Sequence, residues 1–200
     1  MKSNLTSIPI EEVFEPMDGC PICRLYIELE NHMVDYILGP AMMEPDVRIE
    51  TNKQGFCFHH FELMMKKRNK LSVALMLESH LKLLDKQVFS GLLKDSQKQS
   101  KNAEHSHESC FVCNSIDQNM QQILQNLCVL WENNRDFREL YAKQPYLCLP
   151  HFSLLVNAAN RKMSKKNKQE FCKITTELTQ HRLKELQEDI SHFCKRNYLL

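Results

Sequence analysis

Cys20-Pro21-Ile22-Cys23 with Gly55-Phe56-Cys57-Phe58-His59-His60-Phe61, then Cys110-Phe111-Val112-Cys113 with Cys148-Leu149-Pro150-His151-Phe152, is the pattern that decides how this chain reads. Positions 20 and 23 recur ninety residues later as 110 and 113, and positions 57, 60 and 61 recur ninety-one residues later as 148, 151 and 152. Asp46-Val47-Arg48 returns as Asp136-Phe137-Arg138 at the same spacing. The pattern predicts a tandem duplication with one inserted residue between the copies.

Three thiols and one imidazole per copy are the donor set of a tetrahedral Cys3His zinc site. Within one copy the expected ligands are Cys20, Cys23, Cys57 and His60, and within the other Cys110, Cys113, Cys148 and His151. Two residues between paired ligands let both reach one ion, and on a first helical turn Cys57 and His60 share a face. Cys20 before Pro21 reads as an N-cap followed by proline at the first helical position, which puts Cys23 in the first turn. Three thiolates around a divalent zinc leave one net negative charge, and two converging helix N-termini would stabilise it. His59 competes with His60, but the second copy has Pro150 at the corresponding place and keeps only His151, so His60 is the expected ligand. Cysteine-rich ligands also suit iron, which leaves an iron-sulfur cluster as the alternative cofactor. Arg48 and Arg138, shortly before Cys57 and Cys148, are candidates to brace the thiolates from outside the ligand shell.

Outward from the motifs, few glycines (4) and prolines (7) among many Leu, Glu, Lys, Gln and Met residues predict an all-α protein. Leu25, Leu29, Val34, Ile37 and Leu38 keep helical spacing until Gly39-Pro40, and a shorter helix over 43–52 ends before Gly55. That hairpin is expected to return the chain from Cys23 to Cys57. Helices follow over 58–67 and 71–93, the latter expected to bury Leu71, Leu75, Leu81, Leu84, Val88 and Leu92. Residues 94–109 turn polar and read as a linker, so the boundary falls near 102, with one metal-binding repeat in 1–102 and a second in 103–200. The second copy repeats the plan with helices over 111–132, 136–143, 151–161 and 167–195.

Composition narrows the function classes. Twenty-six basic and twenty-five acidic residues give a formal net charge of +1, so no whole-molecule field draws the chain to nucleic acid or an anionic membrane. No run is long and apolar enough for a membrane span, and Met1–Thr6 lacks an apolar segment, so a cytoplasmic location is the expectation. Cys128, Cys172 and Cys194 lie in helical segments beside apolar neighbours and read as small packing residues. The basic turns at 66–70 and 161–168 read as helix connectors, with phosphate contact the less favoured alternative. His105 and His107 read as solvated spacer residues.

The repeated Cys-x-x-Cys, Asp-x-Arg and Gly-Phe-Cys-x-x-His-Phe motifs resemble an uncharacterised family of bacterial proteins, a domain of unknown function. The match rests on Cys20, Cys23, Asp46, Arg48, Gly55, Phe56, Cys57, His60 and Phe61, echoed by Cys110, Cys113, Asp136, Arg138, Cys148, His151 and Phe152. It departs at Tyr146-Leu147, where the pattern prefers Gly-Phe. The resemblance implies no activity. The residues themselves point to a cytoplasmic two-zinc helical protein that binds or scaffolds an unidentified protein partner. A redox- or metal-responsive protein and a nucleic-acid-binding module are the alternatives. No catalytic motif is present, and a shell closed by four protein ligands leaves no place for a reacting water, which argues against an enzyme.

Overall fold

The computed structural model describes residues 10–89, 96–106 and 108–197. Leu92 and Leu93 of the expected long helix, His107, Met1–Thr6 and part of the expected linker lie outside the described residues. Among the described residues the chain is helical throughout and contains no strand. The α-helices are α1 (Ile10–Phe14), α2 (Pro21–Leu38), α3 (Pro45–Gln54), α4 (Phe58–Lys66), α5 (Lys70–Phe89), α6 (Ser96–His105), α7 (Phe111–Asn133), α8 (Arg135–Ala142), α9 (Leu149–Lys162) and α10 (Lys165–Asn197), with a 3-10 turn over Pro40–Met43. No helix is long and apolar enough to cross a membrane.

Local chemistry sets most of the boundaries. Pro21 opens α2, and Gly39-Pro40 ends it because proline cannot supply the next helical N–H. Gly55 ends α3 at φ 63° and ψ −159°, a conformation that side chains with a Cβ rarely adopt. A Cβ there would also come within 2.9 Å of the His80 ring. Asn134 caps α8 by accepting the Phe137 N–H at 3.1 Å. In α2, Leu25, Leu29, Val34, Ile37 and Leu38 are all buried, as their spacing predicts. In α5 Val88 is buried as expected, but Leu71, Leu75 and Leu81 are exposed, and Ser72, Val73 and Met76 are buried in their place. Apolar residues there surround the helix axis, so periodicity does not single out the inward face. The polar segment expected as a linker contains α6, which buries no side chain; its Gln, Lys, Ala and Glu residues are good helix formers.

The chain forms two compact units, one from the described residues of Met1–Ile27 with Asn119–Leu200, the other from Glu28–Gln118. Both divisions fall inside helices, α2 and α7, rather than near residue 102. The first unit has an aromatic centre. Phe14 of α1 meets Phe137 edge-on at 5.1 Å and stacks with Tyr141 at 5.7 Å, and Phe171 of α10 meets Trp131 at 5.4 Å and Tyr141 at 5.1 Å. The Tyr141 and Thr175 hydroxyls are hydrogen-bonded at 2.8 Å. The Glu28–Gln118 unit buries aliphatic and methionine side chains instead, including Leu29, Met33, Val34, Ile37, Met64, Val73, Met76 and Ile116.

Candidate metal centres

Each ligand pair occupies the beginning of a helix. Cys57 and Cys148 are the N-caps of α4 and α9, and Cys20 and Cys110 directly precede α2 and α7. The Cys20 carbonyl accepts the Cys23 N–H at 3.0 Å, and the Cys57, Cys110 and Cys148 carbonyls accept N–H groups from Phe61, Asn114 and Phe152 at 2.9 to 3.0 Å. The turn thus aims both members of a pair the same way. The structure brings all eight expected ligands into two clusters, but it pairs them across the two expected copies. Cys20 and Cys23 gather with Cys148 and His151, and Cys57 and His60 gather with Cys110 and Cys113. The expectation that each half encloses its own Cys3His site is corrected on this point.

Helix length explains the crossing. The 18 residues of α2 carry the chain about 27 Å from Cys20, and α3, with 10 residues, returns only about 15 Å of it. In the second half the 23 residues of α7 span about 35 Å, and the 8 of α8 return about 12 Å. Neither hairpin closes on its own starting point, so each ligand pair meets a partner from the other half.

Within each cluster the donor atoms all lie within 4.8 Å of one another. Around the first, Cys23 Sγ is 3.6 Å from Cys148 Sγ, and His151 Nδ1 lies 3.1, 3.4 and 3.7 Å from the sulfurs of Cys148, Cys23 and Cys20. Around the second, Cys57 Sγ is 3.9 Å from Cys113 Sγ, and His60 Nδ1 lies 3.2, 3.3 and 3.4 Å from the sulfurs of Cys57, Cys110 and Cys113. A tetrahedron with metal–sulfur bonds of about 2.3 Å has sulfur–sulfur edges of about 3.8 Å, so these spacings suit four bonds to one ion. They are far too long for disulfides, whose S–S distance is about 2.05 Å.

Electrostatics point the same way. Without a cation, burial and then the neighbouring Cys110 thiol push the Cys113 pKa up to about 12, and burial followed by Cys20 raises that of Cys23 further. Three thiolates this close repel one another in a half-buried setting. A divalent cation removes that penalty, and the two helix N-termini at each cluster add positive potential.

One ligand has a support that the cysteine spacing does not reveal. Glu30 Oε1 accepts the His60 Nε2–H at 3.0 Å, which leaves Nδ1 unprotonated and aimed at the sulfurs. The same oxygen takes Nε2 of the exposed His59 at 2.9 Å. Burial lowers the His60 pKa, with Glu30 opposing it, so the neutral ligand form is favoured. Among the described residues no carboxylate pairs with His151. A glutamate thirty residues before its histidine has no motif signal; only its place on α2 one turn before the buried Met33 and Val34 hints at an inward position.

The backbone before Cys57 also holds its partner pair. Gly55 O accepts the Phe111 N–H at 3.0 Å, and Gln54 O accepts the Ser109 hydroxyl at 2.9 Å, which fixes the approach to Cys110. Arg48 and Arg138 act elsewhere. Arg48 donates to Leu75 O at 2.8 Å and Ser79 Oγ at 2.7 Å, tying α3 to α5. Arg138 donates to Trp131 O and Glu132 O at 2.6 and 2.7 Å, closing the end of α7, and lies over the Trp131 ring. The basic stretches span the joints from α4 to α5 and from α9 to α10: Lys67 pairs with Asp35 at 2.9 Å, while Ser164 and Asn167 within the second stretch bind Glu132. Cys128 is buried and Cys172 half-buried, but Cys194 is exposed, contrary to the packing role expected of it.

The chain belongs to a family of unknown function, DUF6062, whose match covers residues 1–198. No curated protein matches it, and no solved structure does.

Proposed function

We propose that the protein is a structural two-zinc helical protein, a duplicated repeat whose copies exchange ligand pairs, and that it serves as a binding or scaffolding module for a protein partner. The observation that carries the reading is the size of the two donor clusters, each small enough for a single tetrahedral ion. An iron-sulfur cluster places several irons and sulfides between its thiolates and spreads them well beyond one tetrahedral edge, so this spacing favours one mononuclear ion per cluster. Three sulfurs and a nitrogen are the donors of structural zinc, and four protein ligands complete the shell. Duplication is supported by the recurrence of Cys-x-x-Cys and Cys-x-x-His at matching helix starts. Nine unpaired cysteines suit a reducing compartment, which supports a cytoplasmic location.

When bound, zinc supplies charge neutralisation and a cross-link. Cys20, Cys23, Cys148 and His151 would hold one ion and join the starts of α2 and α9; Cys57, His60, Cys110 and Cys113 would hold the other and join α4 to α7. Elemental analysis of protein purified without added metal tests the reading, with two zinc ions per chain and no visible absorbance expected. Stoichiometric iron with visible bands would reject it in favour of a redox-active protein.

A further inference from the structure

Beyond Arg182, whose guanidinium lies over the Tyr146 ring, the remaining fifteen described residues of α10 bury no side chain in the chain that carries them. The helix runs over Lys165–Asn197, yet its buried side chains are Phe171, Thr175 and Thr179, and none follows. An isolated helical extension of this length is marginal in water unless an apolar face is covered. Such a face exists: Leu183, Leu186, Ile190 and Phe193 are exposed by 45, 39, 62 and 68%, and their spacing of three, four and three residues is the a/d stripe of a coiled coil.

We propose that this segment pairs with the same segment of a second copy, antiparallel, with Ile190 of each chain packed against Phe193 of the other. Charge complementarity selects both the occupant and the direction. With Leu183 and Ile190 at a, and Leu186 and Phe193 at d, the flanking g positions hold Asp189 and Arg196. Antiparallel helices bring g beside g, and the register that centres Ile190 on Phe193, the two most exposed residues of the stripe, sets Asp189 of each copy opposite Arg196 of the other and Leu186 opposite Asn197 at the edge of the contact. This ion pair forms twice by symmetry, as an isologous interface requires. A parallel pairing would instead set Asp189 beside Cys194, with no ion pair there. The proposal does not depend on the identity of the metal.

Sedimentation analysis of the metal-loaded full chain across a concentration series tests it. A concentration-dependent dimer is expected, twice the 23.6 kDa chain mass. Ile190→Glu with Phe193→Glu is expected to give a monomer with unchanged metal content, which separates lost pairing from lost folding. Asp189→Arg and Arg196→Asp are each expected to weaken the dimer roughly tenfold, and the double exchange to restore it. A chain that stays monomeric throughout, as it would if another protein covered this face, overturns the proposal. A dimer indifferent to the charge reversals overturns the antiparallel register.

Discussion

The two candidate metal centres have the same donors and the same helix starts but different surroundings. In the Glu28–Gln118 unit the ligand imidazole, His60, is 1% exposed and is held by the Glu30 carboxylate. In the other unit His151 is half-buried and has no such carboxylate, but the surrounding core contains Phe14, Trp131, Phe137, Tyr141 and Phe171, all fully buried. The Glu28–Gln118 unit has no fully buried aromatic among its described residues. Aromatic side chains bury 150–250 Å² each, so the unit that lacks them has less hydrophobic stabilisation to fall back on. The comparison teaches that one ligand set can be a reinforcement in one setting and a foundation in another.

The largest effect follows from removing both ions. Because binding free energy at such sites is folding free energy, chelation at neutral pH is expected to abolish the cooperative thermal transition seen by circular dichroism. An unaltered melt after complete metal removal would show that neither centre is structural. Removing one ion at a time then separates the units. Cys110→Ser is expected to strip amide-exchange protection from α4 and α5, whereas Cys20→Ser leaves α8 and the packed half of α10 largely protected by the aromatic core. Equal losses in both variants would break the contrast.

Packing provides the converse test. Phe171→Ala removes a fully buried ring from contact with Trp131 and Tyr141 and is expected to cost about 3–5 kcal/mol, with two metal ions retained. A loss of metal alongside it would mean that core and centre are not separable. The smallest effect belongs to Glu30. Glu30→Gln is expected to weaken the Cys57, His60, Cys110 and Cys113 centre by roughly 10–100-fold, as seen by competition with a chromophoric chelator, while the other centre keeps its affinity. Equal weakening of both, or of neither, would remove Glu30 from its positioning role.

The eight residues of the two clusters were legible in the sequence because each pair is local, fixed by one helical turn at a helix start. The breaks at Gly39-Pro40 and Gly55 were legible for the same reason. Which pair meets which was not, because that depends on how far α2 and α7 carry the chain against the shorter return of α3 and α8. The gap of thirty-three residues between Cys23 and Cys57 is long enough for a hairpin, but its length does not say where the returning helix ends. Glu30 was hidden because it lies on α2, far in sequence from the histidine it orients. Arg48 and Arg138 repeat with the cysteines, yet their repetition reflects helix ties, since both guanidinium groups bind groups on a neighbouring helix.

The crossed pairing is tested most directly by counting ions in double variants after a mild chelator wash. The wild-type chain should keep two ions. Cys23→Ser with Cys148→Ser damages one centre in the crossed arrangement and should keep one ion, whereas Cys23→Ser with Cys57→Ser damages both and should keep none. The reverse result, no ion in the first variant and one in the second, would mean that each half encloses its own metal and would contradict the account.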